Sequence, residues 1–268
     1  MLDLKGKVAL IAGAGSVGEG WGNGKATAVL FARQGAKVFG TDINRAAVED
    51  TRAIIEKEGG VCVAHGCDMT VAAEVKAMVD ACVKQFGRID ILVNNVGGSA
   101  PGDPVAMSEE VWDTQIDHNL KTAFLGCKYV LPVMEQQGSG AIVNVSSVAG
   151  FAHQVGGRVQ VAYSTTKAGL LGFTQSTAMA YIKKGIRCNL VVLGVMHTPL
   201  VEARLTKQLG AKDAAALVAK RHAAVPIGHM GDAWDSANAI LFLASDEARY
   251  ITAAHLFVDG GLTAARPG

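Results

Sequence analysis

The stretch Tyr163-Ser164-Thr165-Thr166-Lys167 places a phenol and an ammonium four residues apart in the sequence. In a helix, residues at this spacing lie on one face, one turn apart. A neighbouring cation favours the phenolate over the phenol, so a tyrosine with an ordinary pKa of about 10 becomes a more useful base near neutral pH. The alternative is a surface tyrosine beside a solvated lysine, which is common enough that the pair alone does not decide the function.

A glycine-rich loop follows the first predicted strand and precedes a predicted helix. Glycines there let the backbone approach a pyrophosphate, whose charge the N-terminus of the next helix favours. Gly13, Gly15 and Gly18 fit the pattern G-x-G-x-x-G, but a helix directly after them would begin with further glycines, which disfavour helix. We therefore predict a loop lengthened by a few residues before a helix over 25–34, with an ordinary flexible loop as the alternative. The predicted phosphate-binding residues are Gly13, Gly22, Asn23 and Gly24.

The second predicted strand ends at Asp42. A carboxylate at this place accepts hydrogen bonds from the ribose hydroxyls of adenosine and repels a 2′-phosphate, which predicts NAD rather than NADP. Arg45 follows closely and leaves a residual role in phosphate binding open. Asp42 is also a candidate N-cap for the helix that begins near Arg45, and both roles are compatible.

The elements that must position these residues alternate along the chain. Continuous apolar runs, typical of strands buried on both faces, lie at 7–12, 37–41, 61–65, 89–93, 141–145, 186–193 and 255–258. Helical spacing of apolar residues over 71–86, and the Gly59-Gly60 stop after 45–58, place helices between them. The alternation predicts an α/β protein: a single-domain doubly wound Rossmann fold over residues 1–268, with a parallel seven-stranded sheet and helices on both faces. We expect residues 195–230 to form a lid over the substrate.

Composition excludes several classes of protein. The net charge is +1 with 18% charged residues and no block of Lys and Arg, which predicts no nucleic-acid partner. Apolar segments are too short to span a bilayer, so we expect no membrane association. The five cysteines mostly lie in apolar runs, which indicates reduced thiols in a cytoplasmic protein. Cys62, His65 and Cys67 alternate along a strand without a nearby fourth ligand, so we predict no metal site.

In their order and spacing, these residues and several further motifs resemble the short-chain dehydrogenase/reductase family over nearly the whole chain. The motifs that carry the resemblance are Cys67-Asp68-Met69, Asn94-Asn95-Val96-Gly97, Asp117-His118-Asn119-Leu120, Asn144-Val145-Ser146-Ser147-Val148-Ala149-Gly150, Tyr163-x-x-x-Lys167, Gly194-x-x-x-Thr198-Pro199 and Val258-Asp259-Gly260-Gly261. The chain departs from the family pattern in its longer glycine loop, in Val96 for alanine, in Leu193 for proline, and in a longer interval from Ser147 to Tyr163, at 156–160.

The resemblance implies an enzyme that interconverts a secondary alcohol and a ketone by hydride transfer to or from NAD. It implies that Tyr163 is the general acid/base and that Lys167 lowers the pKa of Tyr163 and binds the nicotinamide ribose. Ser147, with Ser146 as the alternative, would hydrogen-bond the substrate oxygen, and Asn119 would hold a water on a proton path through Lys167.

The same resemblance implies further cofactor contacts and a homo-oligomer, either a dimer or a tetramer. The implied contacts are Asp68 and Met69 at the adenine, Asn95, Val96 and Gly97 after the fourth strand, and Met196 and Thr198 at the nicotinamide. Two alternatives stay open: an NADPH-dependent 3-oxoacyl reductase, against which Asp42 argues, and a catalytically silent nucleotide-binding regulatory protein.

Overall fold

The computed structural model describes residues 2–153, 159–200 and 214–265. The strands are β1 (Val8–Ala12), β2 (Lys37–Asp42), β3 (Val61–Gly66), β4 (Ile91–Asn94), β5 (Gly140–Ser147), β6 (Ile186–Leu193), β7 (Met196–His197), β8 (Gly231–Asp232) and β9 (His255–Val258). The helices are α1 (Asn23–Arg33), α2 (Arg45–Lys57), α3 (Ala72–Phe86), α4 (Glu109–Ile116), α5 (Thr122–Gln137), α6 (Val161–Tyr181), α7 (Ala214–Ala223) and α8 (Ala233–Ala244). Residues 201–213 of the predicted lid and residues 156–158 of the lengthened interval lie outside the described residues.

Seven parallel strands form the central sheet in the order β3-β2-β1-β4-β5-β6-β9. From β1 the sheet extends through β2 to the edge strand β3. The chain then crosses to β4 on the other side of β1, and the sheet extends through β5 and β6 to the other edge strand, β9. This reversal opens a crevice at the carboxyl ends of β1 and β4, where α/β sheets bind ligands. The predicted doubly wound Rossmann fold with a seven-stranded parallel sheet is confirmed.

The pleat of β1 explains why its sequence is apolar throughout. Ala9 and Ile11 pack into the core layer that includes α1, α2 and α8, whereas Val8 and Leu10 pack into the opposite layer with α3 and α5. Successive side chains of a strand point to opposite faces, so a strand covered on both sides buries every residue. Ile11 and Leu10 are both fully buried, and each such side chain stabilises the fold by roughly 1.5–3 kcal/mol.

The helical segment after the fourth strand is interrupted between α4 and α5. Between α4 and α5 the backbone forms a π-helical turn, Asp117–Lys121, in which the N–H of Thr122 donates to the carbonyl of Asp117. Such turns often lie at functional sites, and this one carries Asn119. Within the described residues, no helix is long and apolar enough to cross a membrane.

Candidate active site

The glycine loop after β1 is held tightly at one corner. Gly13 has φ +79°, a left-handed conformation that favours glycine, and its carbonyl accepts a hydrogen bond from Asn95 Nδ2 at 3.0 Å. A Cβ on Gly24 would overlap the carbonyl oxygen of Gly13, and a Cβ on Gly13 would lie 3.3 Å from Val96 Cγ2. The loop, the start of α1 and the chain after β4 therefore meet with no room for side chains.

The N-terminus of α1 faces this loop without a side-chain cap. Gly22 is the N-cap, and α1 begins at Asn23, so the helix opens after the lengthened loop and not directly after Gly18. The first N–H groups of a helix have no partner within the helix, which suits them to a phosphate. In the part of the chain that the structure describes, the buried Ser16 Oγ and Asn23 Oδ1 also have no hydrogen-bond partner. The helix N–H groups and the Ser16 hydroxyl can donate to the pyrophosphate of a dinucleotide, whereas Asn23 Oδ1 can only accept a hydrogen bond.

The additional residues of the glycine loop are anchored by an aromatic contact. Trp21 packs on Trp234 of α8 with ring centroids 4.7 Å apart, and Gly20 lies against Pro199, which its Cβ would approach to 3.3 Å. A cleft of about 300 Å³ separates this loop from the segment with Thr198. The glycine loop and the chain after β6 thus form the two opposite walls of this cleft.

The segment after β6 carries two predicted cofactor residues, Met196 and Thr198, two positions apart. Met196 is buried in the short strand β7, which pairs with β8, and Thr198 follows it half-buried at the cleft. The pairing fixes the start of the predicted lid on the body of the protein.

Asp42 lies at the carboxyl end of β2 and turns toward the glycine loop. Its Oδ2 accepts the N–H of Gly15 at 3.0 Å, and its Oδ1 accepts the N–H of Asn44 at 3.0 Å. The predicted N-cap role of Asp42 is wrong: Asn44 is the N-cap of α2, and its side chain accepts the N–H of Ala47. A carboxylate offers about four acceptor positions, so Asp42 retains capacity for ribose hydroxyls.

Asp68 and Met69 lie at the carboxyl end of the neighbouring strand β3. Asp68 Oδ1 accepts the N–H and the hydroxyl of Thr70 at 2.8 and 2.7 Å. Burial acts to raise the pKa of Asp68, but the two hydrogen bonds from Thr70, together with electrostatic interactions with His118 and Lys121, outweigh it, so the pKa lies below its ordinary value. Met69 is buried, with its Sδ 3.9 Å from Cys67 Sγ.

Tyr163 and Lys167 lie on one face of α6, as their spacing predicts. Lys167 Nζ is 5.7 Å from the centroid of the Tyr163 ring and donates to the carbonyl of Val145 at 3.0 Å. Lys167 is only 4% exposed, and burial lowers its pKa to about 8. At neutral pH its side chain is therefore still mostly an ammonium, held dry beside the phenol ring.

The two serines of β5 have different surroundings. The buried Ser146 donates its hydroxyl to the carbonyl of Lys167 at 2.7 Å and so ties β5 to α6. Ser147 is half-buried and accepts the N–H of Ala149 at 3.2 Å at the start of a 3₁₀ turn. A Cβ on Gly150, at the end of this turn, would overlap the backbone of α6 next to Lys167. Ser147 thus ends β5 close to the start of α6 and keeps a hydroxyl hydrogen for another partner.

Asn119 joins the π-helical turn to the loop after β4. Its Oδ1 accepts the N–H of Gly98, and its Nδ2 donates to the carbonyls of Gly98 and Gln115, each at 3.0 Å. A Cβ on Gly97 would lie 2.7 Å from Asn119 Oδ1 and 3.0 Å from Lys167 Nζ. The loop therefore lies directly against both predicted catalytic side chains.

A buried polar chain behind the site has no counterpart in the sequence-based expectations. Asn94 Nδ2 donates to Asn144 Oδ1 at 2.8 Å, and Asn144 Nδ2 donates to Thr174 Oγ1 at 2.9 Å. Gly126 of α5 makes room for it, because a Cβ there would be 2.5 Å from Asn94 Oδ1. The chain connects β4, β5 and α6. Its sequence signal is an asparagine inside each of two otherwise apolar strands.

The five cysteines are buried, as predicted, and none forms a disulfide. Burial raises the pKa of the Cys62, Cys82 and Cys127 thiols to about 12. These thiols are therefore protonated core residues and not nucleophiles.

Comparison with known proteins agrees with this geometry. The profile of the family described as enoyl-(acyl carrier protein) reductase matches residues 18–263. The 3-oxoacyl-(acyl-carrier-protein) reductase FabG of Thermotoga maritima is 38% identical over 97% of this chain and 98% of its own length. A solved structure from Burkholderia xenovorans, assigned to the short-chain dehydrogenases/reductases, is 47% identical with a TM-score of 0.90, covering 98% of this chain and 99% of that one. The structure of levodione reductase is 32% identical with a TM-score of 0.91, covering 98% of this chain and all of that one.

These relatives match the chain over nearly its full length, in sequence as well as in fold. The matched region 18–263 includes the N-terminus of α1, Asp42 and the Tyr163 and Lys167 pair. The chain therefore belongs to the short-chain dehydrogenase/reductase family, and it is an NAD(P)-dependent oxidoreductase acting on CH–OH groups.

Proposed function

We propose that this protein is an NAD-dependent dehydrogenase or ketoreductase that interconverts a secondary alcohol and a ketone, with Tyr163 as the general acid/base. The observation that carries the proposal is the buried Lys167 ammonium 5.7 Å from the Tyr163 ring, beside the dinucleotide crevice. NAD, when bound, accepts or supplies the hydride.

The Tyr163 hydroxyl takes the alcohol proton during oxidation and returns it during ketone reduction. The Lys167 ammonium favours the phenolate because its charge is close and poorly screened in the buried site. Ser147 donates its hydroxyl hydrogen to the substrate oxygen and stabilises the negative charge that develops there.

Asn119 contributes to the proton path through its backbone. Its side chain is already committed to Gly98 and Gln115, so its proposed contact with a water on the path is assigned to its backbone carbonyl. π-Helical turns leave carbonyls with altered partners, which supports this assignment. The side chain of Asn119 then acts by holding the loop that lies against Lys167.

The preference for NAD rests on Asp42. Its carboxylate lies beside Gly15, where it accepts ribose hydroxyls and repels a 2′-phosphate. Arg45 is largely exposed and pairs with Glu49 at 3.5 Å, which draws it away from a phosphate role. The second candidate is an NADPH-dependent 3-oxoacyl reductase, which the similarity to FabG of Thermotoga maritima favours.

Fluorescence titration with NADH and NADPH separates these two candidates. The wild type is expected to bind NADH at least tenfold more tightly than NADPH, a difference of about 1.4 kcal/mol. Asp42→Ser is expected to lose most of that preference, because it removes the carboxylate that repels the 2′-phosphate. Asp50→Ser, on the exposed side of α2, is the matched control and leaves the preference unchanged. Tighter binding of NADPH by the wild type contradicts the choice of NAD.

A panel of secondary alcohols with NAD⁺, and of ketones with NADH, tests the reaction and identifies the substrate. Turnover of at least one pair is expected in the wild type. Failure across the panel together with tight NADH binding would favour the silent regulatory alternative.

Two further features complete the proposal. Of the predicted lid over 195–230, the described residues 197–199 line the cleft beside the β7–β8 pair, which supports a role of this segment at the substrate, and residues 201–213 lie outside the described part of the chain. The protein forms a homo-oligomer, supported by the exposed apolar side chains Trp112, Phe124 and Met179 on α4, α5 and α6. Light scattering coupled to size exclusion tests the second feature, and a monomer at micromolar concentration contradicts it.

A further inference from the structure

Gln115 is a buried polar side chain on α4, one helical turn before Asn119. Its Oε1 accepts the N–H of Ala100 at 3.2 Å and lies 3.4 Å from Asn119 Nδ2. Its backbone carbonyl accepts a further hydrogen bond from Asn119 Nδ2 at 3.0 Å. With only 7% of its surface exposed, Gln115 is poorly placed to exchange these partners for water.

The loop after β4 is attached at successive points along its length. Asn119 holds Gly98 on both its N–H and its carbonyl, and Gln115 holds the N–H of Ala100. Farther along, Gly102 donates to the carbonyl of Val159 and accepts the N–H of Val161, where α6 begins. The Gln115 bond attaches the loop at a point between these two.

This loop is part of the proposed reaction site because Gly97 lies against Lys167 Nζ. Ala100 is only a few bonds from Gly98 and Gly97, so losing its hydrogen bond to Gln115 would let this stretch of the loop move. Losing the Gln115 contact with Asn119 Nδ2 would also weaken the hold of Asn119 on Gly98. A misplacement of about 1 Å near reacting groups can cost a hundredfold in rate.

We infer that Gln115 is a positioning residue for hydride transfer, which acts by fixing Ala100 and the amide of Asn119. The inference rests on the proposed function. It requires an acceptor oxygen at position 115: glutamate retains one in either protonation state, whereas leucine and methionine do not.

Steady-state kinetics of Gln115→Leu and Gln115→Glu test the inference, with the best alcohol from the panel and NAD⁺. We expect Gln115→Leu to lower kcat/KM for the alcohol about tenfold while the Kd of NADH changes less than twofold, and Gln115→Glu to stay within about threefold of the wild type. Gln115→Met is measured in parallel and substitutes for Gln115→Leu if the leucine variant does not fold.

Gln137→Leu is the matched control. Gln137 also bridges helix and loop through two hydrogen bonds, to the N–H and the carbonyl of Ile89, but it does so at the amino-terminal edge of the sheet. It is expected to lower the melting temperature and leave kcat/KM unchanged.

An unchanged kcat/KM in Gln115→Leu or Gln115→Met, or a Gln115→Glu variant as impaired as the leucine variant, overturns the inference. These results are distinct from failure of the proposed function, in which the wild type oxidises no alcohol or Tyr163→Phe leaves turnover intact.

Discussion

Replacing Lys167 with methionine should abolish turnover and change the pH dependence of stability in a calculable way. Lys167 is buried, and burial lowers its pKa from the ordinary 10.5 to about 8. The unfolded chain therefore binds more protons than the folded protein between about pH 8 and pH 10.5. Stability attributable to this residue rises with pH across that window, and the cost of burying the ammonium is fully present below it.

The magnitude follows from the two pKa values. At pH 7 the buried ammonium costs about 3 kcal/mol, because each tenfold change in proton affinity corresponds to about 1.4 kcal/mol. At pH 9.5 the folded-state lysine is mostly neutral, and the remaining cost is about 1 kcal/mol. Relative to Lys167→Met, the wild type should gain about 2 kcal/mol between these pH values. Packing differences cancel in this comparison, because they do not depend on pH.

Urea unfolding of both proteins at pH 7 and pH 9.5 measures this difference. Lys183→Met, an exposed substitution just beyond α6, controls for general effects of removing a lysine. A difference between wild type and Lys167→Met that is equal at the two pH values, or that moves in the opposite direction, would refute the assignment of a buried ammonium with a lowered pKa.

Two further predictions concern the cofactor corner and the thiols. Gly24→Ala should weaken NADH binding at least tenfold, or about 1.4 kcal/mol, because the added Cβ would overlap the carbonyl oxygen of Gly13. Gly172→Ala is the matched control: a Cβ added there meets nothing within 4 Å, so the Kd of NADH should stay unchanged. Unaltered binding in Gly24→Ala would contradict the close approach of the two backbones. The native protein should react with fewer than one equivalent of a thiol reagent at pH 8, and with five after unfolding, since all five cysteines are buried. Rapid reaction of the native thiols would contradict their burial.

Local sequence patterns were sufficient to predict the seven strands of the central sheet and to place α1 after the glycine loop, although α1 begins at Asn23, two residues before the predicted start, and β7 and β8 were not predicted. The strands of the doubly wound sheet correspond to continuous apolar runs in the sequence. The glycines before Asn23 disfavour an earlier start of α1. Helical spacing predicted that Tyr163 and Lys167 share one face of a helix, whereas their catalytic roles came from the family resemblance.

Tertiary contacts could not be predicted from local sequence patterns. The carboxylate of Asp42 turns to Gly15, far away in sequence, and leaves the capping of α2 to Asn44. Trp21 and Trp234 meet only because α8 packs beside α1. Gln115 is an intermediate case: its spacing from Asn119 is a visible helical pair, but its bond to Ala100 depends on the path of the loop after β4.

Comparison of Tyr163→Phe with the wild type tests the central claim most directly. Removing the hydroxyl removes the proton donor and acceptor but keeps the ring beside Lys167, so kcat for the best alcohol should fall by about 10²–10⁴ while the Kd of NADH stays within twofold. A Tyr163→Phe variant that binds NADH normally and retains the kcat of the wild type contradicts the assignment of Tyr163 as the general acid/base.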